Sequence, residues 1–380
     1  MKNLRREWFL LFVVIFAYFA GFFALLDRFW EPVYALRWLV LASVFGVWQF
    51  AFLWRKLPLN CRADEGELLP SLGWANRVSF LRGIFIAALF GFLFSPWPDR
   101  PLSWLPFTFY LFTALSDILD GYLARITNHV TELGAALDME NDSWGVLIVT
   151  GLVFWYGQVP AIYLLVGLAR YLFIFGLQLR EKQGKQNVEL PFSFRRRIFA
   201  GVQMGFIVTI LVPVFSPSVT RFAAVLFMLP FLAGFFYDWL IIVGRINPKK
   251  WANFFERITS IKLLGFMPLA LRLPVAYFLW VFTVSIGGGI FLEYSRFLSV
   301  LWLLLSFAAV PMILFGAVGR LGAILAMISS GMAIEISNNP LVYMAIVFAS
   351  TILLFGGTGS LSLWSPEDWL IYNRAGGWDD

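Results

Sequence analysis

WFLLFVVIFAYFAGFFALL, residues 8–26, contains no charged side chain. Crossing the hydrocarbon core of a bilayer takes about 20 mostly apolar residues, and this stretch is long enough. It exceeds the roughly 7–15-residue apolar region of a secretory signal, and no A-x-A site follows it, so a retained transmembrane helix is expected. The same measure, carried outward along the chain, finds twelve apolar runs. They lie near 8–27, 33–54, 78–96, 104–124, 138–157, 159–178, 198–215, 219–243, 268–290, 297–317, 320–336 and 341–357. The fold class expected is an all-α integral membrane protein with about twelve transmembrane helices. Runs 104–124, 138–157 and 320–336 carry Gly, Ser or Asp that a lipid-facing helix would avoid, so they are expected inside the bundle.

Composition points the same way. Of 380 residues, 60% are hydrophobic and 14% charged, where a soluble domain is about a quarter charged. Many Trp sit at the ends of apolar runs, where indole favours the membrane–water interface. The net charge of +6 comes with no RNA- or DNA-binding motif. Membrane lipids are therefore expected as partners, and nucleic acid is not. The single cysteine, Cys61, excludes an intramolecular disulfide and any multi-cysteine metal site. With the N-terminus in the cytoplasm, only Arg28, Arg100, Arg221 and Arg296 fall near outer loops. The richest basic segments, 179–198 and 244–262, then face inside.

Three parts are expected: a two-helix N-terminal extension at 1–60, a six-span core at 61–247, and a C-terminal region at 248–380. The last begins with the amphipathic stretch PKKWANFFERI and adds four spans. ADEGELLPSLGWANR, 63–77, could form a short interfacial helix.

The polar residues concentrate in SDILDGYLARITNHVTELGAALDMENDS, 116–143. Asp117 and Asp120 are three apart, and Asp138 and Asp142 four apart, so each pair shares a helix face. The polar connection 125–137 predicts antiparallel neighbours with both pairs at one depth. Four uncompensated carboxylates would repel strongly in a low dielectric, and hard divalent cations with oxygen ligands relieve that repulsion. Gly121 and Gly134 leave room for a ligand or a facing backbone. His129, in the turn, has no second histidine to work with.

This segment is similar to the CDP-alcohol phosphotransferase family, whose pattern is D-x2-D-G-x2-A-R-x8-G-x3-D-x3-D. Asp117, Asp120, Gly121, Ala124, Arg125, Gly134, Asp138 and Asp142 occupy every fixed position. Upstream, Asn76, Ser79 and Arg82 resemble the family's N-x2-[ST]-x2-R element, although Ala75 stands where proline often does. The resemblance implies that Asp117, Asp120, Asp138 and Asp142 hold one or two Mg²⁺ or Mn²⁺ ions, with Asp142 also the general base. It implies a CDP pocket lined by Gly121, Ala124, Arg125 and Gly134, with Asn76, Ser79 and Arg82 nearby. Arg170 resembles an arginine of the family's fourth core helix, and Arg195–Arg197 its basic entry to the fifth. The last four spans, at about 265–365, faintly resemble the DoxX-like family, and that likeness assigns no chemistry.

The function expected is phospholipid biosynthesis: transfer of a substituted phosphate from a CDP-linked lipid, CDP-diacylglycerol foremost, to a small alcohol, releasing CMP. The site is expected at the cytoplasmic face of a bacterial or archaeal plasma membrane, with a homodimer as one possible assembly. Arg170, Arg196 and Arg197 form a basic cluster without a nearby carboxylate in sequence, which suits a phosphorylated acceptor. The rival readings are a CDP-amino-alcohol donor with diacylglycerol as acceptor, a cation-coupled transporter, and an inactive scaffold.

Overall fold

The computed structural model describes residues 1–62, 66–99, 101–127, 129–188, 190, 194–246, 262–286, 296–334, 340–357 and 362–364. Among them are twelve α-helices. In chain order these are α1 Lys2–Phe29, α2 Pro32–Lys56, α3 Gly73–Gly91, α4 Leu105–Ile126, α5 Glu132–Trp155, α6 Leu164–Lys182, α7 Phe194–Ile210, α8 Pro217–Ile242, α9 Lys262–Ile286, α10 Arg296–Phe315, α11 Gly319–Ala333 and α12 Pro340–Gly356. No strand occurs among the described residues, only isolated bridges pairing Cys61 with Leu68 and Ala317 with Trp364. Among the described residues, each apolar run predicted above overlaps one of these helices.

Six stretches are long and apolar enough to cross a membrane: Lys2–Phe29, Pro32–Leu59, Leu102–Ile126, Ala161–Lys182, Pro217–Ile242 and Pro268–Ser285. Their outward faces are apolar. Phe9, Leu10, Val13, Val14 and Tyr18 of α1 are all exposed, and each large apolar side chain left in water costs about 1.5–3 kcal/mol. A surface of this kind belongs in lipid. Of the remaining helices, α3 buries its apolar stretch among its neighbours, and α5 carries Glu132, Asp138, Glu140 and Asp142. The protein is an all-α membrane protein.

Two compact units divide the chain: Met1–Leu172 with Met204–Pro213, and Phe173–Gln203 with Val214–Asp380. In the first, α1 packs on α2 through aromatic side chains. Trp8 meets Phe50 and Trp54, and Phe19 meets Trp38 edge-on. In turn α2 packs on α3, where Trp38 donates its indole N–H to the Ala88 carbonyl at 2.9 Å. The start of α3 is tied to α1: Glu7 accepts from the Arg77 guanidinium at 3.0 Å and from the Leu72 amide at 3.3 Å. In the second unit α9–α12 contact one another in sequence, and α12 closes back on α9 and also touches α8. Arg272 of α9 is buried there, and its Nε and a terminal nitrogen donate to the Ile313 and Leu314 carbonyls at 2.8 and 2.7 Å. These are carbonyls that the end of α10 leaves without helical partners.

Two expectations need correction. Residues 66–72 are not helical, and α3 begins only at Gly73. Pro70 interrupts the segment, Gly73 has φ +73°, and Asn60 Nδ2 donates to the Leu69 and Ser71 carbonyls. Those two carbonyls are thereby engaged from outside any helix. The helices α4 and α5 are also not packed along their lengths. Each packs on α3, which lies between them. The stretch 248–258 lies outside the described residues.

Candidate active site

Three residues of α3 at spacing three, Asn76, Ser79 and Arg82, share one helix face, and all are buried. Each binds a different part of the 116–143 segment. Asn76 Nδ2 donates to Thr131 Oγ1 at 3.0 Å and to Asn60 Oδ1 at 2.9 Å. Thr131 caps α5, its hydroxyl accepting from the Gly134 amide at 3.0 Å, as an N-cap threonine does for an otherwise unpaired donor. Ser79 Oγ donates to Asp120 Oδ2 at 2.8 Å. Arg82 spans the two motif helices: one terminal nitrogen donates to Asp117 of α4, the other to Asp138 of α5 at 2.6 Å. Asp120 and Asp142 stand farther out, at 4.0 and 3.7 Å from the same guanidinium.

One guanidinium, its side chain 2% exposed, therefore sits among four carboxylates. With all four ionised an excess of three negative charges remains, which calls for further cations. Asp120 is 7% exposed and engaged by Ser79. By contrast the Asp138 and Asp142 side chains are 52% and 47% exposed, and that of Asp117 35%. Oxygens of Asp117, Asp138 and Asp142 lie within 4.8 Å of one another. An oxygen-only set with surplus negative charge on its open side fits a hard divalent cation.

The motif glycines differ. A Cβ on Gly134 would stand 2.8 Å from Asn76 Oδ1, so that position is kept small by the protein's own side chain. At Gly121 nothing but the end of Arg125 comes within 4 Å, which leaves this face open to a ligand. His129 is half-buried with its ring against Gly73, and that desolvation lowers its pKa and favours the neutral ring.

Of the expected acceptor arginines, Arg170 is near enough to Asp142 for its charge to act on the carboxylate. Arg196 has Asp238 Oδ2 at 3.7 Å, so it is not remote from every carboxylate. The Arg197 side chain lies outside the described residues. Asn60, Thr131 and Asn141 went unnoticed in the sequence, as did Asp238. Thr131 alone carried a local signal, a threonine one residue before the acidic first turn of α5.

The sequence model of the family described as CDP-alcohol phosphatidyltransferase matches residues 72–239. A Cereibacter sphaeroides protein named CDP-diacylglycerol–glycerol-3-phosphate 3-phosphatidyltransferase is 33% identical over 100 residues, which are 26% of this chain and 43% of that protein. The match thus spans less than half of that relative's length. No solved structure matches the chain. The matched segment contains α3, α4 and α5 together with all four aspartates and the α3 residues that bind them, so it is residues 72–239 that are similar to the CDP-alcohol phosphatidyltransferase family.

Proposed function

We propose that this protein makes phospholipid by transferring a phosphatidyl group from a CDP-linked lipid, CDP-diacylglycerol first, to the hydroxyl of a second alcohol. The new bond joins the acceptor oxygen to the lipid phosphorus. The bond to the CMP oxygen breaks, and the acceptor's proton leaves with a protein carboxylate. The observation carrying this reading is the convergence of Asp117, Asp138 and Asp142 within 4.8 Å on the open side of Arg82. Those three, with Asp120 behind them, would hold one or two Mg²⁺ or Mn²⁺ ions. A bound divalent cation neutralises phosphate oxygens and eases departure of CMP. Asp142 is the base we assign to the acceptor hydroxyl. Gly121, Ala124 and Arg125 are assigned to the CDP moiety. The core that does this work is proposed as 61–247, with its site at the cytoplasmic face.

Purified protein in detergent, given CDP-diacylglycerol, Mg²⁺ and a panel of acceptors, tests the reading by release of CMP. EDTA should abolish that release, and Mg²⁺ or Mn²⁺ should restore it. Turnover that persists in chelator would count against the metal centre.

A phosphorylated acceptor is favoured by Arg170, whose charge reaches Asp142. The Cereibacter sphaeroides protein, whose printed name includes glycerol 3-phosphate, points the same way. Arginine forks match phosphate oxygens. Arg170→Ala should raise the acceptor KM by about tenfold or more, the loss of one charge-assisted contact, and leave the donor KM near the parent's. An acceptor KM equal to the parent's, or use of unphosphorylated alcohols alone, would show that Arg170 serves another purpose.

A further inference from the structure

One buried polar chain leads from this site out into α2, in the N-terminal extension. Gln49 is fully buried, and its Nε2 donates to Asn141 Oδ1 at 3.5 Å. Asn141, also buried, donates from Nδ2 to the Ser79 carbonyl at 2.6 Å. The Ser79 hydroxyl binds Asp120. Gly83 makes the crossing feasible, since a Cβ there would stand 2.9 Å from both Gln49 Oε1 and Asn141 Oδ1. The neighbouring residues repeat the grip: Trp48 of α2 and Trp144 of α5 both donate indole N–H groups to Glu140 Oε1, at 3.1 and 2.8 Å. Two adjacent residues of α2 thus hold two adjacent residues of α5, and these lie between Asp138 and Asp142.

An apolar side chain would pack the α2–α3–α5 contact at less cost. A buried amide must be hydrogen-bonded to be tolerated, and Gln49 Oε1 has no hydrogen-bond partner. The observed cost is retained at the point where α2, α3 and α5 meet. The bland alternative is that Gln49 only fills space between helices, in which case an isosteric apolar residue would serve as well.

We infer that Gln49 is a positioning residue: through Asn141 it fixes α5 against α3, and so sets the spacing between Asp138 and Asp142 on one side and Asp120 on the other. The N-terminal extension would then be part of the active centre's framework. This rests on reading the four aspartates as a metal centre. Groups that hold metal-ligating side chains in place contribute about 10–100-fold to metal affinity, and Gln49 acts one step farther away.

The test uses the full chain in detergent and Mn²⁺ as the probe, with binding followed by electron paramagnetic resonance. Gln49→Met keeps the volume and removes the hydrogen bond. Asn141→Leu breaks the same chain from the other side, should the first variant not fold. Each should weaken Mn²⁺ binding by about tenfold, the lower end of that range, with thermal unfolding in EDTA unchanged. Because the two residues act in one chain, the double variant should lose no more than either single. If the parent binds Mn²⁺ and both variants stay within about twofold, the inference fails while the metal centre stands. Weakened binding matched by an equally lowered unfolding temperature in EDTA would also overturn it, as a packing effect. A parent that binds no Mn²⁺ would overturn the metal centre and this inference together.

Discussion

Replacing Asp142 with Asn is expected to cut CMP release by about 10²–10⁴-fold, the range for losing a general base, while donor binding stays near the parent's. The substitution keeps the shape of the side chain and removes its ability to take a proton. Asp142 is suited to that separation. It is exposed and 3.7 Å from the Arg82 guanidinium, whereas Asp138 is bound to the same group at 2.6 Å. Asp117→Asn and Asp138→Asn should therefore weaken both turnover and donor binding, since they disturb the Arg82 pairing and the metal set at once. Single-turnover rates, measured beside equilibrium binding of the CDP donor, separate the cases. Equal loss of donor binding in all three variants would argue that Asp142 is a ligand and nothing more.

Arg82→Leu should have the largest effect on stability. Breaking a buried ion pair by removing one partner costs about 3–5 kcal/mol, and the lower figure applies here because Asp138 and Asp142 are half exposed and screened. Without Arg82 four carboxylates face one another with no guanidinium bound between them, and only the more distant Arg170 charge acts on Asp142. The distinguishing sign is rescue: the unfolding temperature in EDTA should fall well below the parent's, and saturating Mg²⁺ should recover much of the loss. Arg82→Lys should be intermediate, since a lysine keeps the charge but cannot fork between Asp117 and Asp138. If Mg²⁺ restores nothing in Arg82→Leu, the carboxylates do not form a cation site.

The parts of this arrangement that were legible in the sequence are those encoded locally. Twelve helices followed from apolar length, because a bilayer sets a minimum span. The aspartate pairs followed from helical spacing, because residues three or four apart share a face. The partners of those residues were not legible. Nothing near Arg82 in the chain shows that it sits among four carboxylates. The contact depends on α3 lying between α4 and α5, while the short connection 125–137 suggested that α4 and α5 pack directly together. Arg196 and Asp238 are likewise 42 residues apart in number and 3.7 Å apart in space. Gln49 reads as an ordinary interruption of an apolar run until Asn141 is seen beside it.

The tie between Glu7 and Arg77 spans 70 positions of chain, and this has a bearing on the order of assembly. Synthesis is vectorial, and earlier segments fold first when they can. The aromatic pairing of α1 with α2 requires nothing downstream of them. That hairpin can therefore be in place, with Glu7 and Gln49 unsatisfied, before α3 leaves the ribosome. When α3 arrives, Arg77 finds its carboxylate and the helix docks with its Asn76–Ser79–Arg82 face ready for α4 and α5. In biogenesis α1 and α2 would act as a template laid down ahead of the chemistry, so a lesion in them is expected to surface as slow or misrouted insertion before any turnover could be measured.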